Sequence, residues 1–219
     1  MRLGRISKIL LMVFLLVCLL LGLLYILSGH DKAGLSLEMR KSLWRSARPE
    51  KSMLHSGDLI FRHGRGMVSA TLLAASQTQK RYSHAGVISI EQGEVYVYHC
   101  IGGDDNPNER MSRDKLSAFC DPEIAYSFGI YRLPMHDTLS QQFMKLVLNG
   151  FESGVLFDSD FNLASDDRQY CTEFIYKTLK KMNGCGLPLN SSWLSGREYV
   201  ACDNLYLMPN TTTIHTFNY

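Results

Sequence analysis

Apolar and polar positions change rhythm several times along the chain. From Ile9 to Ser28 there is no alternation at all: twenty residues, mostly Leu, Ile, Val, Met and Phe, carry no charge. At about 1.5 Å rise per residue, a helix of that length crosses the roughly 30 Å hydrocarbon core of a bilayer. Arg2, Arg5 and Lys8 precede it. A cleavable signal peptide would have a shorter apolar stretch, about 7–15 residues, followed by a small-residue site. The segment therefore reads as an uncleaved anchor (residues 1–30) with the body outside the cytoplasm. Residues 31–56 read as a charged stalk. A short amphipathic helix is expected there around Leu35, Met39, Leu43 and Trp44, broken at Arg48-Pro49-Glu50.

The body, residues 57–219, is patterned differently. Leu59 to Arg62 reads as a short strand and Met67 to Gln77 as a helix. Tyr82 to Ile90 and Glu94 to Ile101 read as two strands joined at Gln92-Gly93. Gly102 to Arg113 is polar and reads as a loop, Tyr126 to Leu133 as a strand closed by Pro134, and Leu139 to Glu152 as a helix. In the last clear helix Cys171, Phe174, Ile175, Thr178, Leu179 and Met182 recur on one face. Asp166 and Asp167 are its expected N-terminal caps, and Asn183-Gly184 its stop. Short strands and helices that do not alternate strictly predict an α+β domain.

Composition narrows the classes. The formal charge of +2 over 219 residues is the balance of +3 in residues 1–30 and −1 in the other 189. A body so close to neutral has no electrostatic footprint for nucleic acid. The six cysteines show no Cys-x-x-Cys spacing and the seven histidines are scattered, which argues against a structural zinc site. Cys18 lies in the anchor and leaves five. With Cys171 set aside, Cys100, Cys120, Cys185 and Cys202 are open to bridging in an oxidising compartment.

Cys171 falls in the first turn of its helix, where orphan N–H groups and the positive dipole end favour thiolate. A small buried hydrophobe would fit the same position. His84 lies in an otherwise apolar strand and fits either a satisfied core residue or a base. A turn centred on Gln92-Gly93 pairs Glu91 with Glu94 and Ile88 with Val97. His84 and His99 then share one face as diagonal neighbours, with Gly86 leaving space between them. A nucleophile, a base and a group that orients the base form a triad.

These residues also carry a resemblance. Gly57-Asp58-Leu59-Ile60-Phe61, Tyr82-Ser83-His84-Ala85-Gly86-Val87-Ile88, Gly154-Val155-Leu156-Phe157-Asp158 with Phe161, and Tyr170-Cys171-Thr172-Glu173-Phe174-Ile175-Tyr176 look like successive motifs of one family. The chain resembles the circularly permuted NlpC-type, papain-like cysteine hydrolases of the YiiX/YaeF kind, in which His-bearing strands precede the Cys-bearing helix. The resemblance implies a permuted papain-like fold with an antiparallel sheet on that helix. Residue by residue, it makes Cys171 the nucleophile and His84 the base. His99 stands where the family has a third polar residue, often Glu. Glu173 supports the helix start and Asp158 forms a turn.

The implied reaction is acyl transfer to water without cofactor or metal. The backbone N–H of Cys171 serves as one oxyanion donor, and Tyr82 is a candidate for a second by its place two residues before the base. Three functions fit: a peptidase or amidase on cell-wall peptides, a lipid acyl hydrolase, acyltransferase or thioesterase, and a catalytically silent envelope-binding module. For the first, the expected setting is a bacterial inner membrane with the domain in the periplasm.

Overall fold

The computed structural model describes residues 35–103, 106–182 and 186–219. The expected anchor at 1–30 lies outside them. Among the described residues no helix is long and apolar enough to cross a membrane. One compact unit runs from Leu37 to Tyr219.

The alternation of apolar side chains along the strands is satisfied because both faces of one sheet are covered. Its six strands are all antiparallel: β1 (Leu59–Gly64), β2 (His84–Glu91), β3 (Glu94–His99), β4 (Ser112–Lys115), β5 (Ala125–Arg132) and β8 (Thr212–Asn218). They lie in the order β4-β3-β2-β1-β5-β8. A separate two-stranded hairpin is formed by β6 (Ser192–Leu194) and β7 (Arg197–Tyr199).

Leu59, Phe61, Ala85, Val87 and Tyr131 face two helices, α4 (Asp137–Glu152) and α5 (Cys171–Lys180), through Phe143, Val147, Phe174, Ile175 and Leu179. The intervening positions Ile60, Ile88, Val97, Phe128 and Ile130 face a second apolar layer. Trp44 of α1 (Leu37–Ala47), Leu54, and Leu116 and Phe119 of the one-turn α3 (Leu116–Phe119) close that layer. A sheet buried on both faces must be apolar at successive residues, as Leu59-Ile60-Phe61 is.

This packing corrects the stalk expected over 31–56. The amphipathic helix forms and stops before Pro49. However, Trp44 meets Phe128 edge-on at 5.4 Å and Leu54 is buried, so residues 37–56 belong to the domain. The Gly57-Asp58 motif is structural. Buried Asp58 accepts two hydrogen bonds from Arg132, at 2.7 and 2.8 Å, and so ties the start of β1 to the end of β5.

Two further expectations change. Asp166 and Asp167 do not cap α5, which begins at Cys171. Glu173 reaches back instead, its Oε2 accepting the Tyr170 N–H at 3.0 Å, while Asp166 pairs with Lys177 at 2.7 Å. The bridges expected among the spare cysteines also give way: Cys100, Cys120 and Cys202 are buried free thiols. Cys120 lies in one apolar layer and the other two in the opposite layer, with the sheet between them. Cys185 is outside the described residues.

Candidate active site

The β2–β3 turn places the two histidines. Gln92 and Gly93 have φ of 50° and 82°, the left-handed pair that a two-residue hairpin turn requires. Glu91 pairs with Glu94 and Ile88 with Val97. His84 at the start of β2 and His99 at the end of β3 then share a face. His84 Nε2 lies 2.9 Å from His99 Nδ1. Gly86 is required here: a Cβ on it would sit 2.5 Å from Val97 Cγ1 and 3.3 Å from the His99 Cβ.

A third polar group extends this pair from the neighbouring strand. β4 pairs with β3 so that Asp114 lies opposite Val97, diagonal to His99. His99 Nε2 is 2.9 Å from Asp114 Oδ2. A carboxylate only accepts, so His99 carries its proton on Nε2, and its Nδ1 accepts the Nε2–H of His84. The lone pair left on His84 is at Nδ1. Asp114 thus sets the tautomer of both rings. Its hydrogen bond with His99 holds its own carboxyl below the usual range.

Arg62 completes this corner. It lies opposite His84 across β1 and β2 and is itself buried. Nη1 donates to the Phe119 carbonyl at 3.0 Å, and the guanidinium lies 4.7 Å from the Phe119 ring, on which His84 also stacks. Burial, then the charge of Arg62, then His99, push the His84 imidazole well below its ordinary value. Burial also lowers His99, against the opposing pull of Asp114.

Cys171 is the first residue of α5. Around its sulfur stand the backbone N–H groups of Ala85, one residue from His84, of Thr172, and its own. These and Arg62 favour thiolate, but burial outweighs them and the thiol is raised, not lowered. At a site this enclosed desolvation outweighs the helix terminus, against the lowered thiol expected from its position.

The helix start is anchored on several sides. Tyr170 Oη accepts the Val200 N–H at 2.8 Å, and Thr172 Oγ1 donates to the Val200 carbonyl at 2.6 Å. Glu173, wholly buried, pairs with Lys177 at 2.9 Å. Asp158 accepts the N–H groups of Asp160 and Asn162 at 2.8 and 2.6 Å and so shapes the turn beside the site.

Tyr82 is excluded as an oxyanion donor. It is buried among Phe61, Tyr131 and Tyr206, its hydroxyl 3.0 Å from that of Tyr131 and filling the space beside Gly129. Cys100 faces away from His99, and that is the layer that holds Cys171.

A cavity of about 190 Å³ opens beside Cys171. Its wall is mostly apolar: Leu72, Ala75, Phe161, Leu194, Val200 and Cys202, with Asp160 and Arg197 among the few charged groups.

Neither Asp114 nor Arg62 was legible as a site residue. Ser112-Arg113-Asp114-Lys115 has no apolar alternation to mark a strand, and Arg62 only ends one.

No protein-family profile and no curated protein matches the chain. Among solved structures it is similar to the metalloprotein YiiX from Escherichia coli O157:H7, assigned to DUF1105. The TM-score is 0.62 and the identity 18%, covering 76% of this chain and 99% of that one. The chain has the YiiX-like fold. The sheet of this YiiX-like α+β fold carries the two histidines on one strand pair, and the cysteine begins α5, later in the chain. The metal named for the Escherichia coli protein finds no matching donor set here. Among the described residues no three His, Cys, Asp or Glu side chains converge on a point that an ion would occupy. Both nitrogens of His99 and Nε2 of His84 are already engaged within the polar chain.

Proposed function

We propose that this chain is a membrane-anchored cysteine acyl hydrolase of the permuted papain-like kind. The observation that carries the reading is the hydrogen-bonded series Asp114–His99–His84, which leaves His84 Nδ1 unprotonated, next in the chain to Ala85, whose backbone amide favours the Cys171 thiolate. At rest the pair is thiol and neutral imidazole. As the sulfur attacks a carbonyl carbon, the thiol proton passes to His84 Nδ1. The imidazolium is stabilised through His99 by Asp114, and the tetrahedral oxygen receives the Cys171 N–H. Collapse expels the leaving group, which takes the proton from His84. Water, deprotonated by the same nitrogen, then releases the acid and restores the thiol.

The scissile bond is an amide or ester. Cell-wall peptides are one substrate class. The apolar cavity wall favours the other, an acyl chain, because a muropeptide would bring charged groups against Leu72, Ala75, Phe161 and Leu194.

The test is turnover of a water-soluble p-nitrophenyl acyl ester beside a muropeptide, with wild type and Cys171→Ala. Cys171→Ala is expected to abolish turnover and to unfold at the wild-type temperature. His84→Ala is expected to lose about 10²–10⁴-fold. Full activity of the Cys171→Ala variant on the active substrate ends this reading.

A further inference from the structure

One helix of this fold, α2 (Met67–Ala74, sequence Met-Val-Ser-Ala-Thr-Leu-Leu-Ala), is uncharged along its length and buries none of its residues. Met67 is 87% exposed and Val68 70%. An apolar helix of a globular protein normally presents one stripe to a core, and one that is apolar all round is covered by something.

The β6–β7 hairpin adds to this surface. Its tip holds Trp193, 65% exposed, and Leu194, 54% exposed, on a turn whose Ser195 and Gly196 have φ of 51° and 80°. The two elements are joined: Tyr199 Oη donates to the Ala75 carbonyl and receives the Gln77 side-chain amide. Both also wall the cavity at Cys171, α2 through Leu72 with Ala75 just beyond it, and the hairpin through Leu194 and Tyr199. Exposed Lys80 and Arg81 follow α2, and Arg197 stands at the base of the hairpin turn.

We propose that α2 and the β6–β7 tip together form an interfacial rim that docks on a lipid bilayer and opens the Cys171 cavity to acylated amphiphiles held in it. Three observations select a bilayer as the occupant. Aliphatic side chains and a tryptophan project at the rim of a cavity, the composition of the membrane interface. Exposed Lys80 and Arg81 follow the helix in the chain and Arg197 follows the hairpin turn, cations that anionic head groups attract. The sequence also supplies the twenty-residue uncharged run Ile9–Ser28, with eight residues between its end and α1. The supply of substrate to Cys171 rests on the hydrolase reading above, but the docking itself does not.

The two tryptophans of the chain make the test direct. Trp44 packs on Phe128 in the opposite apolar layer, and Trp193 stands on the rim. The full chain is reconstituted into phosphatidylcholine–phosphatidylglycerol vesicles containing lipid brominated near the head of its acyl chains. Trp44→Phe, which reports Trp193 alone, is expected to be strongly quenched, and Trp193→Phe, which reports Trp44, is not. Equal quenching of both, or of neither, overturns the docking. So does a blue-shifted Trp193 that bromolipid leaves unquenched, the signature of a second protein copy on the rim.

A turnover arm separates this proposal from the hydrolase reading. Met67→Asp with Val68→Asp is expected to lower hydrolysis of a vesicle-embedded acyl ester by about tenfold or more. The same pair leaves hydrolysis of the water-soluble ester unchanged. Equal rates of the variant on both substrates overturn the supply of substrate through the rim. Quenching of Trp193 without any Cys171-dependent turnover keeps the docking and removes the hydrolase.

Discussion

Asp114 Oδ2 and His99 Nε2 lie 2.9 Å apart, with the imidazole side chain 1% exposed and the carboxylate reaching solvent at 45%. A buried ring is thereby tethered to a solvated charge. His99 receives its negative partner from the neighbouring strand. Asp114→Ala is expected to lower kcat by about 10–100-fold, the usual cost of losing the group that orients an orienting residue. It leaves alkylation of Cys171 by iodoacetamide in place. Steady-state kinetics checks this, and an unchanged kcat would remove Asp114 from the machinery.

His99 itself separates geometry from charge. His99→Gln keeps one acceptor and one donor between His84 and Asp114. His99→Glu puts a second carboxylate beside Asp114 in a position that is almost fully enclosed. Like charges so placed cannot both ionise without cost. The Gln variant is expected to retain more activity than the Glu variant, and the Glu variant to melt lower. The reverse order, by kinetics and thermal melting, would mean that His99 serves as a stand-in for an acid.

The pH profile follows from which groups are buried. Burial and then Arg62 hold His84 well below its ordinary value, so the base is neutral throughout the mildly acidic range. The acid limb of kcat/KM is expected well below 6.5. Arg62→Gln removes a cation that disfavours imidazolium and is expected to move that limb upward. Burial raises Cys171, so thiol deprotonation bounds the profile on the alkaline side. A limb at 6.5, the ordinary histidine value, that Arg62→Gln leaves in place would contradict this assignment.

Glu173 supplies a stability signature. Its carboxyl is pushed up to about 7 by burial, against the opposing Lys177 and Tyr170 N–H. The folded state therefore holds this proton more tightly than the unfolded chain, whose value is 4.5. Stability from this group is fully present below about 4.5 and falls as pH rises toward 7. Glu173→Gln keeps an acceptor for the Tyr170 N–H and is expected to flatten that slope. Denaturant melts at about pH 5 and about pH 7.5 on both proteins measure it.

Local relations were legible without the structure, and distant ones were not. The Gln92-Gly93 turn is two residues long, and its backbone twist admits one register, so the placement of His84 beside His99 followed from sequence spacing and the period of two. The apolar periodicity of Cys171 to Leu179 likewise determined a helix, whose start the structure moved from the expected Asp166-Asp167 caps to Cys171. The tertiary structure alone decided what those groups meet. Asp114 reaches His99 only because β4 returns across a loop to the edge of β3, and Arg62 faces His84 only because β1 inserts between β2 and β5. Tyr82, two residues before His84, is drawn instead toward Tyr131 in β5. Cys171 sits high in its titration because helices and sheet together exclude water from it, a sum over residues far apart in the chain. Hydrogen-bonded turns and helical faces are set by neighbours within a few positions, whereas desolvation and charge at a site depend on strand order, which no local pattern encodes.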